Sequence, residues 1–248
     1  MTPVPIQKIL LKTPGLKFIQ LLLFIVFIFV QIFVDDRPFV AAKDIPPAIN
    51  AERISALALG EGVIAAKLLE YWLLGFDSAS GEIVSYNTLN YDHLADWLLT
   101  IQKLDPLSDY PSLMASGVYI EVKDKQRARR MIEFVNQNFL RAPERRWRWQ
   151  AQIVMHAKYR LKDLPLAREL AENLRHAAKN SDVILPWARD LEFLVLQDMG
   201  EFEAAVMLID RLLTSGEITD ADELRFLTAK LKELQHRQIE KTSNSHQR

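Results

Sequence analysis

Chemistry needs donors, acceptors and nucleophiles at set spacings, and this chain supplies few. Its five histidines, His93, His156, His176, His236 and His246, are scattered, and none stands at a metal-ligand spacing of the His-Glu-x-x-His kind. There is no Gly-x-Ser-x-Gly elbow and no phosphate-cradling loop. Gly60-Glu61-Gly62 lacks the third glycine and the preceding strand of a dinucleotide fingerprint, so it reads as structural. Paired carboxylates such as Asp220, Asp222 and Glu223 sit where helix N-termini favour acids. With no cysteine, disulfides, thiolate metal sites and cysteine nucleophiles are excluded, and the redox compartment stays open. The expectation is a protein that is not an enzyme, with no catalytic residues, no metal and no cofactor.

Binding chemistry is better supplied. Tyr110, Trp149 and Trp187 follow one another at 39 and 38 residues, and Gly117, His156 and Leu194, then Glu121, Arg160 and Asp198, repeat the same step. On one helix face such rows would hold an extended peptide or tail, with contact area from the rings and orientation from the ions. The expected partner-binding groove is therefore Tyr110, Trp149, His156, Arg160 and Trp187. The competing reading packs these aromatics between helices and makes His156 a structural histidine.

Charge is uneven. Lys123 to Arg148 holds nine basic residues against three acidic, with Arg129, Arg130, Arg145, Arg146 and Arg148 as a candidate basic patch, whereas Asp190 to Glu240 holds twelve acidic against five basic. Such polarity can steer an acidic partner or favour head-to-tail self-association into a homo-oligomer; solvated helix faces that differ in sign are the plainer reading.

The elements that position these rows announce themselves through a recurring phrase. Lys123-Asp124-Lys125-Gln126-Arg127-Ala128, Lys162-Asp163-Leu164-Pro165-Leu166-Ala167 and Gly200-Glu201-Phe202-Glu203-Ala204-Ala205 each place an acid at a helix N-cap and an alanine four residues later. The alanines fall 39 and then 38 residues apart, a period that signals stacked helical hairpins. Counting from them predicts first helices over 109–122, 146–161 and 184–199 and second helices over 125–140, 164–179 and 202–214. A last helix over 220–238, with Thr219 as cap and Asp222 as the matching acid, carries Leu224, Leu227, Leu231 and Leu234 on one face and closes the open edge.

Composition agrees with an all-α fold. The 248 residues are 49% hydrophobic and 25% charged with only eight glycines, which suits helices and a sizeable core. A formal net charge of -1 implies no global attraction to nucleic acid. Upstream, apolar helical spacing from about 48 to 75 is broken into two helices by Gly60 and Gly62, residues 76–91 read as turns with a brief extended segment at 82–86, and a further helix capped by Asn90 or Asp92 stops before Pro106.

Phe18 to Val34 is a 17-residue run without charge, preceded by Lys8, Lys12 and Lys17. It reads as a single transmembrane helix contacting the lipid bilayer through residues 18–34, with the N-terminus cytoplasmic and the rest exported across an inner (plasma) membrane. A signal peptide cut near Val40-Ala41-Ala42 and a buried soluble helix are the alternatives. The expected domains are a tail and membrane helix at 1–37, a Pro-rich stand-off linker at 38–49, an N-terminal helical module at 50–107, repeats and capping helix at 108–240, and a disordered tail at 241–248.

The phrases at 162–167 and 200–205, with Tyr119 nine residues before Ala128, resemble the tetratricopeptide repeat family over roughly residues 108–215. The period is longer than the family's 34, and Lys158 stands where Tyr119 would predict an aromatic. The fuller pattern, with Trp72-Leu73-Leu74-Gly75-Phe76-Asp77, Leu104-Asp105-Pro106 and Arg145-Arg146-Trp147-Arg148-Trp149, resembles proteobacterial membrane-anchored repeat proteins. The resemblance implies an α-solenoid in a bacterial inner-membrane setting. The expected function is a membrane-anchored scaffold or adaptor for another envelope protein, with an exported location that disfavours nucleic acid. A self-assembling structural subunit or an envelope hydrolase are the rivals.

Overall fold

The computed structural model describes residues 44–78, 88–179 and 181–245 apart from 217 and 219, together with residues 19 and 21–26. All regular structure among the described residues is helical. In chain order the helices are α1 (Ala51–Leu57), α2 (Gly62–Ser78), α3 (Tyr91–Leu104), α4 (Tyr110–Gly117), α5 (Lys125–Arg141), α6 (Pro143–His156), α7 (Leu164–Ala178), α8 (Pro186–Arg189), α9 (Leu191–Asp198), α10 (Phe202–Thr214) and α11 (Ala221–Ser245). A 3-10 turn over Tyr119–Glu121 extends α4, and a π turn over Ala157–Leu161 extends α6.

Many of the helices start where a side chain or a proline relieves the unpaired amides of the first turn, whereas at α10 the expected cap, Glu201, makes no side-chain cap hydrogen bond and pairs instead with Arg168. Asn90 caps α3 by accepting from the amides of Asp92 and His93. Asp124 caps α5 by accepting from Gln126 and Arg127, and Asp163 caps α7 by accepting from Leu166. Pro111, Pro143, Pro165 and Pro186 occupy first turns, where a missing N–H costs nothing. At α11 Asp220 accepts from the Glu223 amide and Asp222 pairs with Arg225; the expected cap, Thr219, lies outside the described residues.

Connections are short, a single residue between α5 and α6 and two between the π turn and α7, so each helix folds back on its neighbour. α6 packs on α5, α7 and α4, and α3 packs on α2, α4 and α5. Ala128, Ala167 and Ala205 are fully buried, which explains their phase: a methyl is all that fits where helices come together. One core runs from Ile45 to Val195, and a smaller one joins Phe193 and Leu196 to Ala205, Ile209, Leu227 and Leu234 across α9, α10 and α11. Leu224 and Leu231 pack on the edge of the smaller core.

Two expectations are corrected and a third is not described. α2, which packs on α3, runs on through Phe76–Ser78, where turn formers had suggested a loop. The 82–86 extended segment lies outside the described residues. The stand-off linker 38–49 is, from Asp44 on, a docked strap: Ile45 is buried, Asp44 Oδ1 accepts from the amides of Ile45 and Asn90, Trp97 Nε1 donates to the Pro46 carbonyl at 2.8 Å and Thr100 Oγ1 to that of Ile49. Apolar residues flanking Pro46-Pro47 gain more against α3 than in water.

No helix among the described residues is long and apolar enough to cross a membrane. The expected span at 18–34 lies outside the described residues except at Ile19 and residues 21–26, which are helical with exposed side chains.

Candidate functional site

The face where α4 and α6 meet, with the turns that extend them, brings together two of the side chains expected to bind, His156 and Arg160. Gln152 Nε2 donates to the Ser116 carbonyl at 2.9 Å, tying the two helices at mid-height. One turn further, Glu121 accepts from Arg160 and faces His156 Nδ1 at 3.6 Å. Glu121 and Arg160 are equivalent positions of successive first helices, so their contact is what the phase of 39 requires of adjacent units. Leu113 on α4, Met155 on α6 and Tyr159 on the π turn present apolar side chains to solvent.

His156 is buried. Burial lowers its pKa below the ordinary imidazole value; Glu121 opposes that and Arg160 reinforces it, so the ring is neutral at neutral pH. Its ring, on the last turn of α6, faces Glu121 of the 3-10 turn that extends α4.

The three aromatics do not make one row of open rings. Tyr110 and Trp149 are half-buried against the main core, and the Tyr110 hydroxyl donates to the Glu70 carbonyl at 3.5 Å. Trp187, 49% exposed, meets Trp147 edge to face with centroids 5.4 Å apart. The cause is a break in the third first helix. Asp190 separates the four-residue α8 from α9, and the first turn leans on α7 and on Trp147.

The basic patch is largely consumed within the fold. Arg129 pairs with Asp163; Arg130 reaches Asp92 at 2.9 Å and lies near Asp96 and Glu133; Arg145 pairs with Asp109 and donates to the Leu107 carbonyl. Arg148 lies over the Trp147 ring. Arg146 is not on the surface at all: buried, it donates to the carbonyls of Asn138 at 2.9 Å and Pro106 at 3.0 Å. Burial draws its pKa below the ordinary value, Asp109 works against this, and Arg145 and Arg141 add to it.

Several organising residues carry no motif. Gln102 Nε2 donates to the carbonyls of Asp105, Pro106 and Ser108, holding the α3–α4 turn, and Asn138 reaches Gln102 Oε1. Lys158, the departure from the aromatic pattern, buries all but 8% of its side chain and pairs with Asp198 at 2.9 Å. Burial disfavours its charge, but hydrogen bonding and attraction from Asp198 and Tyr159 outweigh that and raise its pKa. Arg129 with Asp163 and Arg168 with Glu201 are one ion pair repeated a hairpin later, since 129 to 168 is 39 residues and 163 to 201 is 38. Lys162 and Gly200, 38 apart, both adopt left-handed backbone before those acids. Asn90, 34 residues before Asp124, caps α3 as Asp124 caps α5, with Leu94 where the later phrases carry alanine.

Near the C-terminal end a buried acid stands out. Asp190 has its pKa raised to about 7, first by burial and then by Glu223, with Arg189 opposing. Arg189 pairs with Glu223 beside it, and Arg175 with the buried Glu192. A cavity of about 200 Å³ lined by Ile184, Arg189, Ile218 and Glu223 adjoins this cluster. No group of three or more His, Asp or Glu among the described residues could hold a metal ion. Arg189 with Glu223 ties α8 to α11, and Arg175 with Glu192 ties α7 to α9.

Comparison with protein families, with curated proteins and with solved structures finds no match to this chain.

Proposed function

We propose that this chain is a membrane-anchored helical-repeat scaffold, a tetratricopeptide-like α-solenoid held at the inner membrane by residues 18–34 with its C-terminal domain outside the cytoplasm. In this reading it binds another protein of the cell envelope through the face shared by α4 and α6. The observation that carries the reading is the phase itself: equivalent residues of successive hairpins touch, as Glu121 touches Arg160, and the cap ion pair of Arg129 with Asp163 recurs as Arg168 with Glu201. Stacked hairpins with a regular step generate an extended face, and extended faces serve to hold other chains. Leu113 on α4, Met155 on α6 and Tyr159 on the π turn supply exposed apolar area in addition to the Glu121–Arg160 pair, the composition expected at a protein contact.

The test uses the full chain in native membranes with a photo-crosslinking amino acid at Tyr159, and at Lys232 on α11 as a control. The reading expects a discrete adduct from position 159 that weakens when Leu113→Asp and Met155→Asp are introduced together, with an unchanged melting temperature. Equal, diffuse labelling from 159 and 232 would sink it.

A further inference from the structure

The molecule's most unusual surface lies on α1 and α2. Between Gly62 and Gly75 the exposed side chains are Val63, Ile64, Lys67, Leu68, Tyr71 and Leu74, so five of six are apolar, and the one charge, Lys67, is tied to Glu70 at 2.9 Å. The turn before α2 adds Leu57 and Leu59, which are 82% and 92% exposed. A solvent-facing helix ordinarily turns charge outward, and a contiguous apolar face marks a surface that something apolar covers.

That turn is preformed. Leu59 and Gly60 take φ of 54° and 89°, and the Gly60 amide bonds the Ser55 carbonyl at 2.8 Å. Left-handed backbone is costly for a leucine, so its retention at the most exposed apolar position is a constraint held by the surroundings. Those surroundings include Gly62, where an added Cβ would lie 2.9 Å from the Leu104 carbonyl oxygen; only glycine lets the turn sit this close to α3.

Chain length decides what covers the face. Because the strap fixes Asp44 through Asn50 against α3 and Asn50 caps α1, only residues 35–43 separate Val34 from the folded domain. Ten peptide steps reach at most about 36 Å whatever their conformation, roughly one domain diameter. The first elements after that short tether are α1 and α2. We infer that the outward face of α2 and the Leu57–Gly60 turn lie in the interfacial layer of the bilayer, a second membrane contact that fixes the domain's orientation at the membrane. Lipid suits the face chemically: it is apolar with a tyrosine and a lysine, the residues that sit at the boundary between acyl chains and headgroups, and it needs no complementary partner shape. The inference rests on the anchored reading of residues 18–34.

The absence of cysteine makes the test direct. Full-length protein carrying a single nitroxide at Leu59→Cys, Leu68→Cys, Ile25→Cys or Lys232→Cys is reconstituted in phosphatidylcholine vesicles, and collision with oxygen is compared with collision with a water-soluble nickel complex. Labels at 59 and 68 are expected to meet nickel roughly tenfold less than the label at 232 and oxygen more, the signature of the interfacial layer. Nickel access at 59 and 68 equal to that at 232, with 25 still protected, overturns this inference and leaves the anchor standing. Protection from both probes with spin–spin broadening between copies overturns it in favour of a second copy. A water-accessible label at 25 removes the anchor and the inference together.

Discussion

α2 and α5 are both 17-residue helices that bury one face against α3, yet they turn opposite chemistry outward. α5 buries Ala128, Met131, Ile132, Val135 and Phe139 and exposes Lys125, Gln126, Arg129, Glu133, Gln137 and Arg141, with Leu140 near its end as its one exposed apolar side chain. α2 buries Ala65, Ala66, Glu70 and Leu73 and exposes leucine, isoleucine and tyrosine. The inward faces obey one rule and are required for folding. The outward faces differ: that of α5 carries arginines that reach acids of the neighbouring hairpins, and that of α2 is apolar and exposed. Burial selects for stability, whereas an apolar outward face has no folding benefit and signals a contact outside the fold.

The sharpest way to break this comparison is to make the same kind of truncation on both helices. Phe139→Ala removes a fully buried ring and is expected to cost about 3 to 5 kcal/mol, while Leu68→Ala should stay within about 0.5 kcal/mol, both read from urea unfolding of the detergent-solubilised chain. A large loss at Leu68 would mean that α2's outer face belongs to the core.

A somewhat smaller effect concerns polar groups on the inside. Because Asp190 titrates at about 7 in the fold and near 3.8 when unfolded, its stabilisation is present below pH 4 and is lost as pH rises through 7. Relative to the wild type, Asp190→Asn should therefore gain stability with increasing pH, of order 1 kcal/mol per unit between about 4 and 7, and the difference should flatten above 7. His156 acts in the opposite sense, since its depressed pKa favours the fold as pH rises toward the ordinary imidazole value. A pH-independent difference between wild type and Asp190→Asn would show that the carboxyl is ionised throughout.

The smallest effect tests the repeated caps. Asp163→Ala removes the α7 cap and the partner of Arg129 and should cost about 1 kcal/mol, and Asp124→Ala, whose side chain makes the same kind of cap, a similar amount. Equal losses would support equivalence of the two hairpins; a loss confined to one would weaken it.

Much of the helix layout was legible because the phrases are local. An acid at the cap, a proline in the first turn and an alanine four residues on are set by backbone amides within one turn and by contact with the adjacent helix, so α5, α7 and α10 lie at 125–141, 164–178 and 202–214, close to where the phase puts them. The candidate site was only half legible. Its charged ladder, Glu121 with Arg160 and His156, follows from the step of 39, whereas the fate of the rings does not. Trp149 and Tyr110 are half-buried on the main core, and Trp187 leans on Trp147 where α8 breaks from α9 at a buried aspartate, placements made by neighbours distant in the chain. Arg146 shows the same limit, since nothing in Arg145-Arg146-Trp147-Arg148 distinguishes the one guanidinium that ends inside between two carbonyls.

By itself, then, the sequence determined an all-helical chain, the places where its middle helices begin and the step that relates them, because caps and periodicity act over a few residues. Tertiary structure alone decided which polar groups go inside, that residues 44–50 bind α3 instead of standing free, and that α2 keeps an apolar face turned outward. Those outcomes depend on which surfaces meet across tens of residues, and a linear pattern does not specify which apolar face will find a partner.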